Sequence, residues 1–538
     1  MSNHAVSANE EAPVLIAGGG LVGLCAAAFL AQRGIRSIAI ERLKASSPLP
    51  RAAFFHMRTL ELFRSLGIEN EVRERSSHDF VPEGAIVALE SVAGRKLADI
   101  MPTLNEGVEA VSPCRRLYLN QPSLEPILRE RALSAGATVI QGADITGVDQ
   151  DADGVTVMTQ DASTGVPREL RGQYLIAADG GHSQVRESLG IAYEGRGAFS
   201  NSLTIYFTAD LSPWIGNNAW SIIYVNNAQL AGFFRMNRSA QAGFFGVNTL
   251  GDYKLDPQAA VNAAADVSEP RLIELVRMGV GVPDLDVRID GFTRWRATAN
   301  VAQKFRDGRI FIAGDAAHLM PPNGGFGGNT GVHDAHNLAW KLALVIQGHA
   351  AEQLLDTYES ERKPVAHFTV EQAFSRYVAR TAPWLQPSQP PEPIVADLQI
   401  ELGYLYDSPL GTHADPRTTC GMPGSRAPHL WVHKAGQRVS TLDLVGNYLL
   451  LAGPAGEKWI EAAAGVTDGF GDLALDAYRI GTEVTDPDGR FCELYGVGAE
   501  GASLLRPDGF VAWRSVGSAV DCGGELRQAL ARSLGDLQ

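Results

Sequence analysis

Pro13-Val14-Leu15-Ile16-Ala17-Gly18-Gly19-Gly20-Leu21-Val22-Gly23 is the stretch that decides the fold. Pro13 to Ala17 is an uncharged run of strand length, Gly18-Gly19-Gly20 is a turn, and Gly23 to Leu30 is a helix of small residues. Gly34 closes that helix, and Ser37-Ile38-Ala39-Ile40 is a second short strand. The whole is a β-turn-α-β unit of the length a parallel crossover needs. The turn fits G-x-G-x-x-G at Gly18, Gly20 and Gly23. The first glycine permits the tight turn, the second lets a pyrophosphate approach the backbone, and the third lets helix and strand pack closely. N–H groups at the helix N-terminus then face the phosphates. Glu41 ends the second strand, 18 residues after Gly23, where a carboxylate accepts hydrogen bonds from ribose hydroxyls. An acidic residue there favours a free 2′-hydroxyl, as in NAD or FAD, over a 2′-phosphate. The loop alone does not choose between the two.

Around this unit the chain has 538 residues, enough for roughly three to four domains. Acidic residues outnumber basic ones 61 to 46, a formal net charge of −15, which argues against a nucleic-acid-binding surface. With 45% hydrophobic and 20% charged residues, a disordered chain is excluded. The five cysteines (Cys25, Cys114, Cys420, Cys492, Cys522) are widely spaced and contain no C-x-x-C. A zinc ribbon is excluded, no metal site is expected, and a reducing cytoplasm is the expected compartment. Two long uncharged stretches need a membrane check. Ala12 to Gln32 is interrupted by four glycines and preceded by Glu10 and Glu11, where a secretory signal carries positive charge. Leu211 to Phe234 is broken by Pro213, Gly216 and several asparagines, so buried strands explain it better than a bilayer helix. A soluble protein without a membrane partner is expected.

Leu175-Ile176-Ala177-Ala178 and Arg309-Ile310-Phe311-Ile312-Ala313 are further buried strands, and helical patterns run over 58–68, 121–135 and 333–347. Between about 200 and 250 the period changes to that of strands, rich in aromatic and β-branched residues. Pro383 to Pro393 contains five prolines and is expected to be a linker. A terminal module follows from about 400, with its own strand Tyr448-Leu449-Leu450-Leu451-Ala452.

Three signatures in fixed order decide the cofactor: the loop at 18–23, the stretch Ala178-Asp179-Gly180-Gly181-His182-Ser183-Gln184-Val185-Arg186, and Gly314-Asp315-Ala316-Ala317-His318. Together they make the chain resemble the flavoprotein aromatic hydroxylases of the para-hydroxybenzoate hydroxylase fold, the group A FAD monooxygenases. The likeness is closer to the branch acting on phenols and aromatic polyketides, and it spans most of residues 10 to 370. It implies an α/β architecture: a Rossmann-like FAD-binding domain at 1–195 and 286–380, with a substrate-binding β-sheet inserted at 196–285. A proline-rich linker at 381–400 and a thioredoxin-like module without C-x-x-C at 401–538 complete it. The module's expected part is packing or contact between copies of a homodimer.

The resemblance also implies roles. Asp315 hydrogen-bonds the ribityl chain, while Gly327, Gly328 and Asn329 open a helix whose N–H groups face the pyrimidine edge of the flavin. Arg51 and Gln121 contact the phosphate and sugar region, Ile145 gives a backbone contact to adenine, and Asp179 handles FAD and nicotinamide, with a helix N-cap as its alternative. On the substrate side, Tyr224 and Arg235 are the polar candidates for orienting a phenolate, with Trp220, Phe234, Trp295 and Pro321 around the ring. The family's simple-phenol members often carry an acidic residue or histidine two positions after Arg51, but this chain has Ala53. The implied reaction is hydroxylation of a phenolic or polycyclic aromatic with NADPH or NADH and O2, through a flavin C4a-hydroperoxide. Baeyer–Villiger oxygenation of a polyketide and a non-catalytic flavoprotein that binds an aromatic ligand are the alternatives.

Overall fold

The structure, a computed structural model, describes residues 10–46, 53–251, 262–385, 389–468, 470–471 and 473–535. Arg51 lies outside the described residues.

The strands Val14–Ala17, Ser37–Glu41, Thr138–Gln141, Tyr174–Ala177 and Ile310–Ile312 form the parallel part of a six-stranded sheet, in the spatial order 310–312, 174–177, 14–17, 37–41, 138–141. Leu15 lies in register between Leu175 and Ile38. Strands buried on both faces have no reason to alternate, which is why these segments are unbroken apolar runs in the sequence. The crossover helix Leu21–Gln32 is buried from Gly23 to Ala31 and packs against the helices Gln121–Ser134 and Phe326–Ile346. Its alanines let these two helices approach closely.

The second layer is an eight-stranded sheet made mainly from Tyr193–Thr208, Trp220–Asn226, Ala231–Met236, Ala242–Asn248 and Arg288–Ala302. It reaches beyond the segment 196–285. Ala85–Leu89 runs parallel to Trp220–Asn226 and brings Lys96–Met101 with it as the edge. Pairing between segments 135 residues apart leaves no local spacing for a sequence reading to find.

Because side chains alternate along a strand, this sheet has two distinct faces. One carries Leu203, Ile205, Phe207, Ile223, Val225, Phe234, Phe245 and Val247, and buries them against Leu272, Leu275, Val276 and Val280 of the helix Glu269–Val280. The other carries Tyr206, Tyr224, Phe233, Arg235 and Phe244, in cross-strand register with one another.

The terminal module is a four-stranded mixed sheet in the order 475–479, 448–452, 502–505, 511–515, flanked by the helices Glu457–Val466 and Cys522–Ser533. Buried charge fastens it to the rest of the chain. Glu61 accepts from Arg58 at 3.0 Å, from Arg426 Nε at 2.9 Å and from Ser112 at 2.6 Å, and Arg506 reaches Glu361. Where described, the proline-rich run lies strapped along the helix Thr357–Arg380. Its carbonyls accept from side chains at Glu392 (from Ser375, 2.7 Å), Pro393 (from Gln372, 2.9 Å) and Val395 (from Arg376, 2.7 Å). Among the described residues no helix is long and apolar enough to cross a membrane.

Candidate active site

Three glycine-bearing segments meet at the carboxyl ends of the parallel strands. Gly18 has φ +101°, the left-handed region that favours glycine. A Cβ at Gly23 would collide with the carbonyl oxygen of Gly18, so helix and turn close on each other only with glycine there. Val22 is the hub: a Cβ on Gly314 would lie 2.8 Å from its Cγ2 and one on Gly331 2.6 Å from it. The phosphate-type loop, the Gly314–Ala316 turn and the helix Phe326–Ile346 are therefore in contact. Glu41 closes the rim, accepting from the N–H groups of Gly19 and Leu43, each at 2.8 Å. Gln121, first residue of its helix, donates to Glu125 at 2.6 Å, and both side chains lie beside Gly20. Asp315 is exposed on its turn, and a Cβ at Gly327 would come 3.9 Å from its Oδ1. Ile145 sits half-buried in the strand Ala143–Gln150, opposite Thr159.

Asp179 follows the strand Tyr174–Ala177. Its Oδ2 accepts from the N–H of Val185 at 3.3 Å, so it supports the start of the helix Gln184–Ser188, although Ser183 is that helix's N-cap. Burial holds its carboxyl above the ordinary range, and its Oδ1 is buried without a hydrogen-bond partner among the described residues. An acceptor in that condition suits a ligand hydroxyl or amide.

Two supports escaped the sequence reading. The Asn329 side chain is fully engaged within the protein: Oδ1 accepts from the His56 N–H (2.9 Å) and the Thr59 hydroxyl (2.7 Å), while Nδ2 donates to the carbonyls of Phe54 (2.8 Å) and Gly325 (2.7 Å). It fixes the segment 54–59 to the helix entrance. Behind the Gly314 turn, the buried Asp334 carboxylate accepts from Gly314 N–H (3.1 Å), His318 Nε2 (2.7 Å) and Arg362 Nε (2.8 Å). The pairing of His318 with a carboxylate 16 residues on was the available signal.

On the substrate side the alternation of the strand corrects one expectation. Phe234 cannot share a face with its neighbour Arg235. It stacks on Phe245 at 3.9 Å and 5°, in the core under the helix Glu269–Val280, so Phe233 and Phe244 take its place on the open face. Trp220 packs on that same core, because the register slips between Trp220 and Ile222. Trp295 lies on the nearer side and donates from Nε1 to the Thr204 hydroxyl at 3.0 Å. Pro321 is buried in the loop before the helix Phe326–Ile346. Tyr224 is buried beside Arg380 and Asn323, and its hydroxyl is held above its ordinary pKa by burial. Arg235 is 4% exposed, with its guanidinium carbon 4.1 Å from the Phe80 ring centre and 4.9 Å from that of Tyr118. A surface groove of about 950 Å³ near Arg306 and His367 includes none of these residues, and Arg306 there is already paired with Glu352 and Asp356.

A family profile described as an FAD binding domain matches residues 11–373, and one described as the C-terminal region of aromatic-ring hydroxylases matches residues 420–536. The chain belongs to the FAD-binding aromatic-ring hydroxylase family. Within it, this hydroxylase is 48% identical to a 4-methyl-5-nitrocatechol 5-monooxygenase of Burkholderia sp, over 97% of each chain. It is 38% identical to a tetracenomycin B2 monooxygenase-dioxygenase of Streptomyces olivaceus, over 97% of this chain and 99% of the other. In structure the hydroxylase is similar to aklavinone-11 hydroxylase in ternary complex with FAD and aklavinone: TM-score 0.88 at 35% identity, covering 98% and 99% of the two chains. The terminal module has no C-x-x-C, and its Cys420, Cys492 and Cys522 are free thiols.

Proposed function

We propose that the protein is an FAD-dependent monooxygenase that hydroxylates a phenolic ring with NADPH or NADH and O2. The observation that carries this reading is the convergence of three glycine-bearing segments on Val22, beside a sheet face of aromatic side chains with one buried guanidinium. Bound FAD, reduced by the nicotinamide, supplies the activation of dioxygen and the delivery of one oxygen atom.

The chain's own residues do the rest. Gly18, Gly20 and Gly23 leave room for the pyrophosphate at the N-terminus of the helix Leu21–Gln32. Glu41 exchanges its backbone donors for ribose hydroxyls, and Gln121 lines the same end. Asp315 accepts from the ribityl hydroxyls, and the N–H groups of Gly327, Gly328 and Asn329 face the pyrimidine edge, where the helix dipole favours negative charge. Asp179 offers its Oδ1, which has no partner among the described residues, and the backbone of Ile145 serves the adenine. Across the gap, the aromatic face of the eight-stranded sheet excludes water and holds the ring flat against Phe233, Phe244 and Trp295. Tyr224 and Arg235 provide the polar contacts to its oxygen substituents. Five free cysteines accord with a reducing cytoplasm as the place of work.

The purified protein is expected to be yellow, to release its flavin on denaturation, and to oxidise NADH or NADPH faster when a suitable phenol is added. A binding protein would take up flavin and phenol without that acceleration. Asp315→Ala should weaken FAD binding about 10- to 100-fold, the worth of charged hydrogen bonds. Titration of the apoprotein with FAD, followed by fluorescence, measures it; unchanged affinity would remove Asp315 from the cofactor site.

A further inference from the structure

The helix Phe326–Ile346 carries a polar stripe in a place where packing alone calls for apolar side chains. Asp334, Asn337 and Lys341 follow one another at intervals of three and four residues, so they share one face, and all three are buried. Their partners come from two other parts of the chain. From the helix Thr357–Arg380, Arg362 donates to Asp334 at 2.8 Å and to the carbonyl of Thr330 at 3.3 Å, while Glu361 accepts from Asn337 at 2.7 Å and from Lys341 at 2.8 Å. From the terminal module, Arg506 donates to both oxygens of Glu361, at 2.5 and 3.0 Å, and is aimed by Asp508, which accepts from its Nε at 3.1 Å. Tyr406, in the chain leading into the module, joins the two halves. Its hydroxyl accepts from Arg362 at 3.1 Å and from Asn337 at 3.5 Å, and its ring stacks on Phe510 of the module at 4.3 Å.

These contacts make a continuous path from Arg506 through Glu361, Asn337, Tyr406 and Arg362 to Asp334, which in turn holds the Gly314 N–H beside Asp315. Buried ion pairs are a poor source of stability, since well-packed apolar side chains hold a fold as well or better. What they add is direction, because each charged hydrogen bond fixes an angle as well as a contact. Here they fix both sides of the cofactor end: the helix whose first turn carries Gly327, Gly328 and Asn329, and the turn that carries Asp315. Glu61 differs in kind. It meets this path only through Arg58 at the backbone carbonyl of Asp508, so it fastens the module without reaching the helix.

We propose that Arg506 is a positioning residue for FAD: acting through Glu361, Tyr406 and Arg362, the terminal module sets where the helix Phe326–Ile346 and the Gly314 turn stand against the flavin. The inference rests on the placement of the flavin given above and assigns the module a part in it beyond packing.

Four variants of the full chain test it: Arg506→Met, Arg506→Lys, Tyr406→Phe, and Arg506→Met combined with Tyr406→Phe. The readings are the FAD affinity of the apoprotein and the midpoint potential of the bound flavin, with the melting temperature recorded beside them. Arg506→Met should weaken FAD binding about 5-fold or more, the usual size of coupling between distant sites. It should also move the potential negative, because helix N–H groups out of place stabilise reduced flavin less. Arg506→Lys keeps a cation beside Glu361 and should recover part of both effects. Tyr406→Phe removes one hydroxyl from the path and no charge, and should act in the same sense by about 3-fold or more. In the double variant the loss should fall short of the product of the two single losses, as it does for members of one network. A lower melting temperature with FAD affinity and potential unchanged in both single variants would overturn the proposal and leave Arg506 a fastening of the module. Single losses that simply multiply in the double variant would overturn it too. If Arg506→Met does not fold, Tyr406→Phe decides by the same two readings, and no change in either overturns the proposal. A wild-type chain that takes up no FAD is a different failure, that of the flavin placement itself.

Discussion

Glu61→Ala is expected to cost the protein about 3–5 kcal/mol of stability, the loss seen when one member of a buried ion network is removed. The Glu61 carboxylate is 6% exposed and satisfies two guanidinium groups, Arg58 from its own helix and Arg426 from the terminal module, besides the Ser112 hydroxyl. These neighbours hold its pKa below the carboxylate range despite burial. Without it, two cations remain buried at the junction between FAD-binding domain and module, with Arg58 keeping a hydrogen bond to the carbonyl of Asp508, at 2.5 Å. Glu61→Gln, which keeps the shape but not the charge, should lose less. Urea denaturation measures both, and an alanine variant within 1 kcal/mol of wild type would mean that the junction is held by apolar contact instead.

Asp334→Ala is expected to be as costly, about 3–5 kcal/mol, with a second consequence that Glu61→Ala lacks. Arg362 and His318 lose a shared, fully buried partner, and so does the Gly314 N–H one residue before Asp315. The turn that presents Asp315 is then no longer tied to the helix Phe326–Ile346 through that carboxylate. FAD affinity should fall with stability in Asp334→Ala, whereas Glu61→Ala should leave the affinity of the remaining folded protein near wild type. Equal FAD affinity in both variants would show that Asp334 only holds the core.

Much of the cofactor half was legible in the sequence because its signals are local. Gly18 to Gly23 and Glu41 lie within one crossover unit, and the structure joins their ends directly through Gly19 and Glu41. The substrate half was legible only by strand. Tyr224 and Arg235 share one face of the sheet, but Phe234 next to Arg235 could not, and the alternation that excludes it was already present in the sequence. Trp220 failed for a different reason, since a register slip beside Ser221 re-aims a side chain without any sequence mark. Phe80 and Tyr118 were invisible as neighbours of Arg235, standing 155 and 117 positions before it and brought there by tertiary packing. The network around Glu61 was equally hidden, because charged residues at helical spacing are ordinarily a solvated surface.

The most direct measurement for the monooxygenase claim is the mass of the product formed under ¹⁸O₂. Purified, FAD-loaded enzyme is given NADPH or NADH and a phenol that stimulates their oxidation, and the product is compared with that formed under ordinary oxygen. A monooxygenase places one atom from O2 in each product molecule, so the product should be heavier by one ¹⁸O label per turnover. A product that carries oxygen from water instead, or nicotinamide oxidation with no oxygenated product from any phenol that stimulates it, would contradict the account.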